Sequence, residues 1–112
     1  MSKILCSPGG KVYVTTDTHA LLVGRGSKWR TMGAQLGDEL FFEDIVAFEG
    51  RVLISTDGGL LEVCEKEIVT AKLELPRMRS YTHLAAGDGV LVVAGSNEAW
   101  MLADGKWNRI FR

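Results

Sequence analysis

The sequence predicts an all-β chain of three four-stranded antiparallel units, and three observations carry that prediction. The first is a hairpin pattern at residues 50–63. Val52, Leu53 and Ile54 are strand formers, Thr56-Asp57-Gly58-Gly59 is a turn, and Leu60, Leu61 and Val63 resume a strand. Asp-Gly supplies the positive φ that a tight hairpin turn needs. The second is recurrence: the pattern returns at residues 10–23 and 89–102, its leading glycines Gly10, Gly50 and Gly89 lying 40 and 39 residues apart. The third is the lack of a convincing helical period. Residues 35–42 include helix formers, but Gly33 and Gly37 mark their start, so the segment reads as loop.

Each unit reads as strands A to D. Strand A is short and mostly of small residues: Leu5-Cys6-Ser7, Ile45-Val46-Ala47 and Leu84-Ala85-Ala86 align at the head of the three copies. Strands B and C form the hairpin, and the alignment from the glycine to the end of strand C needs no gap. Strand D begins at Trp29, Ile68 and Trp107, with one residue deleted before it in copies two and three. The turns before strand D are Arg25-Gly26-Ser27-Lys28, Glu65-Lys66-Glu67 and Asp104-Gly105-Lys106. The D-to-A connections, residues 33–40 and 72–80, are longer. The units are expected at about residues 2–34, 42–74 and 81–112 of a single domain.

A four-stranded antiparallel unit repeating every 40 residues, with glycine turns and an aromatic opening the outer strand, is the pattern of a β-propeller blade. Gly10-Lys11-Val12-Tyr13-Val14, the turn Asp104-Gly105-Lys106-Trp107 and their counterparts resemble the YVTN, WD40-like and BNR-like families of bacterial β-propeller repeats. The Trp-Asp and Gly-His signatures of WD40 blades are absent, and Asp104-Gly105-Lys106-Trp107 is a degenerate Asp-box. The resemblance implies a fold and brings no catalytic residue with it.

Strand A is innermost in a blade, where Cys6, Ala47, Ala85 and Ala86 suit a crowded channel. Packing of blade on blade buries both faces of each sheet, which accounts for the apolar run Val90 to Val93. Propellers close with typically four to eight blades. Three blades would leave two apolar faces in water. Two chains give six blades and three chains give nine, so the expected assembly is a homodimer closing one six-bladed propeller. Blade 1 of each chain then packs on blade 3 of the other, with the two-fold axis along the channel. The alternative is a piece excised from a longer propeller. The Met1 start and a chain running from strand A to strand D favour the first reading.

Composition narrows function by exclusion. The 112 residues are 46% hydrophobic and 24% charged, the balance of a soluble globular domain. Thirteen basic and fourteen acidic residues leave a net charge of −1, so no general pull toward nucleic acid or anionic membrane is expected. No apolar run approaches the roughly 20 residues of a membrane span. The N-terminus lacks a signal-peptide core, and the expected location is cytoplasmic. Cys6 and Cys64 read as small buried hydrophobes, and with His19 and His83 scattered singly they make no zinc set. No metal or cofactor is expected.

The candidate site is the mouth of the channel, ringed in this fold by B–C turns and D–A loops. It would gather Asp17, His19, Asp57, Asn97, Glu98, Arg77, Arg79, Tyr81 and His83, with Asp38, Glu39, Glu43 and Asp44 nearby. Asp17, Asp57 and Glu98 suit a cation or a basic partner, although Asp and Asn also stand in hairpin turns for conformational reasons. Arg77, Arg79 and Tyr81 suit an anion or a carboxylate, or form a solvated basic loop after Pro76. His19 or His83 as a general base lacks a partner identifiable by spacing, and no catalytic residue is assigned. Trp29, Trp100 and Trp107 suit sugar or base stacking, but Ile68 in place of the aromatic in the middle copy favours packing. The leading expectation is a non-enzymatic binding or interaction module with a protein or small ligand at the mouth. A small lectin-like or ligand-binding propeller is second, and a hydrolase with its site at the mouth third.

Overall fold

In a computed structural model of the chain, residues 3–16, 20–33, 36, 41–56, 58–78 and 80–111 are described. Among them lie twelve strands: β1 (Ile4–Cys6), β2 (Val12–Thr15), β3 (Leu21–Arg25), β4 (Lys28–Met32), β5 (Asp44–Phe48), β6 (Arg51–Thr56), β7 (Gly59–Val63), β8 (Ile68–Thr70), β9 (His83–Gly87), β10 (Val90–Ala94), β11 (Ala99–Ala103) and β12 (Lys106–Phe111). They form three four-stranded antiparallel sheets, β1–β4, β5–β8 and β9–β12, each with its strands in sequence order. We call these sheets 1, 2 and 3.

The turns explain why the sheets form where they do. Glu49-Gly50, Asp88-Gly89 and Asp104-Gly105 each place two successive residues at positive φ, between 49° and 77°. That is the backbone of a type I′ hairpin turn, whose twist matches the strands it joins. In the β6–β7 turn the positive φ falls on Gly59, not on Gly58. Asp57 itself lies outside the described residues.

Pairing registers correct the alignment of the three copies. In sheet 1 five residues separate Cys6 from its partner Val12, and five separate Thr15 from Leu21. In sheet 2 the corresponding pairs, Ala47 with Val52 and Ser55 with Leu60, are each four residues apart. The β3–β4, β7–β8 and β11–β12 pairs Gly24–Trp29, Val63–Ile68 and Leu102–Trp107 are evenly spaced. The additional residues of sheet 1 therefore lie in its first two turns. None is deleted before strand D, and the stretch from glycine to strand C is not gap-free. The β1–β2 turn is opened by Ser7-Pro8-Gly9-Gly10, where Ser7 N–H donates to Lys11 O at 2.9 Å and Gly10 N–H to Ser7 O at 3.0 Å.

The first strands lie side by side, β5 between β1 and β9. Alternation then sends neighbouring residues to opposite faces. On β6, Leu53 and Ile54 are both wholly buried. Ile54 packs with Tyr13, Leu21, Val23 and Met32 of sheet 1, whereas Leu53 packs with Leu84, Leu91, Val93 and Leu102 of sheet 3. Two cores result, one on each side of sheet 2. Two-sided burial is confined to this middle sheet, because sheets 1 and 3 have a neighbour on one face only. The same fact corrects Cys6, an exposed free thiol on the uncovered face of sheet 1, whereas Cys64 is an exposed free thiol because it lies in the β7–β8 turn. Ala85 and Ala86 are exposed as well, and Ala47 is half-buried.

Candidate functional site

The β10–β11 turn and the segment leading into β9 form the best-described part of the expected mouth. Asp17, His19, Asp57 and Arg79 lie outside the described residues, as do Asp38 and Glu39. The others are brought to one end of sheet 3 but do different things there. Asn97 and Arg77 are exposed. Tyr81 is buried, and its hydroxyl donates to Pro76 O at 2.8 Å while accepting from Met78 N–H at 3.3 Å. It closes its own loop on the core, where Leu73, Leu75 and Met78 also pack. The tyrosine expected to grip an anion beside Arg77 is thus a structural pin, turned inward because an apolar ring of that size is best buried with its hydroxyl satisfied.

Glu98 is likewise engaged. Its Oε1 accepts from Trp100 Nε1–H at 2.8 Å and lies 4.0 Å from Arg109 Nη2. The Arg109 guanidinium sits over the Trp100 ring, 4.9 Å from its centroid. Arg109 and Trp100 are cross-strand partners, so the stack follows from register. One face of the indole and its only donor are therefore committed within sheet 3.

His83 opens β9 and is exposed, with Nδ1 3.0 Å from Thr82 Oγ1. That hydroxyl also donates to Ala94 O at 3.3 Å. Asp44, at the same place on β5, has both oxygens in use. Oδ1 accepts from its own neighbour, Ile45 N–H, and Oδ2 from Leu84 N–H on β9, each at 2.9 Å. This carboxylate joins the innermost strands of sheets 2 and 3. The β10–β11 turn packs close to the preceding loop: a Cβ on Gly95 would stand 2.5 Å from Ser80 O, so only glycine fits. No group of three or more His, Cys, Asp or Glu suited to a metal occurs among the described residues.

A different cluster lies at the other end of the strands. The β1–β2 turn, the β3–β4 hairpin and the β7–β8 turn enclose an open depression of about 820 Å³. Lys11, Arg25, Lys28 and Arg30 line it with the indole of Trp29, and Glu65 is the one acid. Arg25 donates through Nε to Gly10 O at 3.3 Å and through Nη2 to Gly9 O. Arg30 Nη2 donates to Glu65 O across to sheet 2. Trp29 lies over Gly24, where a Cβ would stand 2.5 Å from the ring, and its Nε1–H donates to Gly26 O at 2.8 Å. Sequence reasoning passed over this cluster. The available signal was the spacing Arg25, Lys28, Arg30 about one tight turn, but Lys11 joins only when β2 pairs with β3.

Smaller crevices lie between the sheets at this same end. One of about 330 Å³ between sheets 1 and 2 includes Lys11, Tyr13, Arg30 and Glu65. One of about 280 Å³ between sheets 2 and 3 includes Glu49, Glu74, Asp104 and Trp107. No helix among the described residues is long and apolar enough to cross a membrane. No protein-family model, curated protein or solved structure matches the chain.

Proposed function

We propose that the chain is a non-enzymatic binding or interaction module, built on a six-bladed β-propeller that two copies complete. The observation that carries this reading is the character of the two free sheet faces. On sheet 1, register places Ile4, Val12, Val14, Leu22 and Trp29 on the face away from sheet 2. On sheet 3, it places Ala85, Val90, Val92, Ala94, Ala99 and Met101 on the face away from sheet 2. His83 and Lys106 are the charged or titratable residues at its two ends. One face is bulky and the other lined with small side chains, a pairing suited to interdigitation.

Counterpart positions support reading the first face as a packing face. Ile4, Ile45 and Leu84 hold the same register place, and the last two are 5% and 8% exposed against the neighbouring sheet. Ile68 and Trp107, counterparts of Trp29, also pack on the preceding sheet, whereas Trp29 is 48% exposed. A sheet placed before sheet 1 would bury Ile4 and Trp29 in the same way. Blade 3 of a second copy supplies such a sheet, and six blades fall within the usual range. The wall of blades then leaves its turns and loops as the binding surface.

Light scattering tests the assembly. A mass of twice the 12.3 kDa of the chain is expected, and a folded monomer would overturn the closed-ring reading. A glycan array separates an interaction module from a lectin-like propeller. With Trp100 stacked under Arg109, no glycan signal that a Trp100→Ala change abolishes is expected.

A further inference from the structure

We infer that the basic depression at the β3–β4 hairpin is a binding site for a ligand bearing a phosphate or sulfate group. The chain as a whole carries a charge of −1, yet four cations and one carboxylate line this hollow. Among the described residues neither Lys11 nor Lys28 has a carboxylate within ion-pair distance. The two arginines are held in place by main-chain carbonyls, of Gly9 and Gly10 for Arg25 and of Glu65 for Arg30. A guanidinium has five N–H donors, so each retains donors beyond those bonds. A tetrahedral oxyanion offers several acceptors at once and suits convergent guanidinium and ammonium groups. Fixing the arginines in advance lowers the ordering cost of binding.

Register places Arg25, Arg30 and Lys11 on the side of sheet 1 that faces sheet 2. The site thus adjoins the free face that a second copy would cover, since Trp29 and Gly24, which also line it, lie on that face. It also lies at the opposite end of the strands from the expected channel mouth. It is distinct from the anion site expected around Arg77, Arg79 and Tyr81.

The test is a titration of the full chain with inorganic pyrophosphate and, separately, inorganic sulfate, which distinguishes the two oxyanions. Binding is read by calorimetry and by the indole Nε1–H resonance of Trp29, which lies within the depression. Saturable binding to at least one probe is expected, with shifts confined to Trp29 and the β3–β4 turn. Raising the salt should weaken it, because the contacts are exposed ion pairs. The double change Lys28→Gln and Arg30→Gln should weaken binding roughly a hundredfold, at about tenfold for each charge-assisted contact. Lys106→Gln, outside the depression, should leave it unchanged. Circular dichroism of the double variant confirms that the sheets remain. No saturable binding to either probe would overturn the inference, as would undiminished binding by a folded double variant. An Ile4→Arg monomer that retained pyrophosphate affinity would separate failure of the ring from failure of the site, because Ile4 lies on the free face and outside the depression.

Discussion

Ile4 and Ile45 lie on the first strands of adjacent sheets and occupy one register position, yet they are 70% and 5% exposed. The side chains are identical and the local strands alike. What differs is whether another sheet lies against the face: sheet 1 covers Ile45, and no described sheet covers Ile4. Burial in this architecture is thus a property of pairs of sheets, and a sheet at either end of the chain has an unfinished side.

The comparison can be broken most directly by the same truncation at both places. Ile45→Ala should cost about 2–5 kcal/mol in denaturant unfolding, through lost transfer energy and a residual cavity. Ile4→Ala should match it wherever two copies are joined, and fall within about 0.5 kcal/mol when dilution separates them. Equal small effects of Ile4→Ala at all concentrations would leave its face a solvent surface. Asp44→Ala comes next. Losing the acceptor for two main-chain N–H groups should cost roughly 1.5–3 kcal/mol, and Asp44→Asn should recover part of it. Tyr81→Phe removes the bond to Pro76 O and the acceptor of Met78 N–H and should cost about 1–2 kcal/mol by thermal unfolding, with oligomeric mass unchanged. Glu98→Gln should cost least. Its link to Arg109 is a single long ion pair, worth about 0–1 kcal/mol, and the Trp100 bond survives in the amide.

Strand content and strand order were legible because Val, Ile, Leu and Tyr runs alternate with Gly-containing turns at regular intervals. The copies were matched one residue out in sheet 1, since the turn at Ser7-Pro8-Gly9-Gly10 and the β2–β3 connection each hold one residue more than their counterparts. Such insertions change no hydrophobic pattern and become visible only through pairing. Cys6 was misjudged for the reason that separates Ile4 from Ile45: a strand pattern marks a face as apolar without telling what covers it. At the candidate site, strand order puts Asn97, Glu98, Tyr81 and His83 toward one end of sheet 3. It did not reveal that Tyr81 turns inward to Pro76, or that Glu98 is held by Trp100. The basic depression went unread because Lys11 and Arg30 are distant in sequence, and only the pairing of β2, β3 and β4 brings them together.

The carboxylate of Asp44 has a kinetic consequence. It holds the Leu84 amide from a neighbouring sheet, so that hydrogen cannot exchange with solvent until sheets 2 and 3 part or the side chain lets go. Ile4, at the matching place on β1, follows a sheet position whose residue would be the His83 of another copy. The two amides are therefore clocks for two different events. Leu84 times the separation of sheets within a chain, and in the proposed dimer Ile4 would time the separation of chains. A deuterium-exchange rate for Ile4 that slows with protein concentration, while that of Leu84 stays constant, would read both motions in a single experiment.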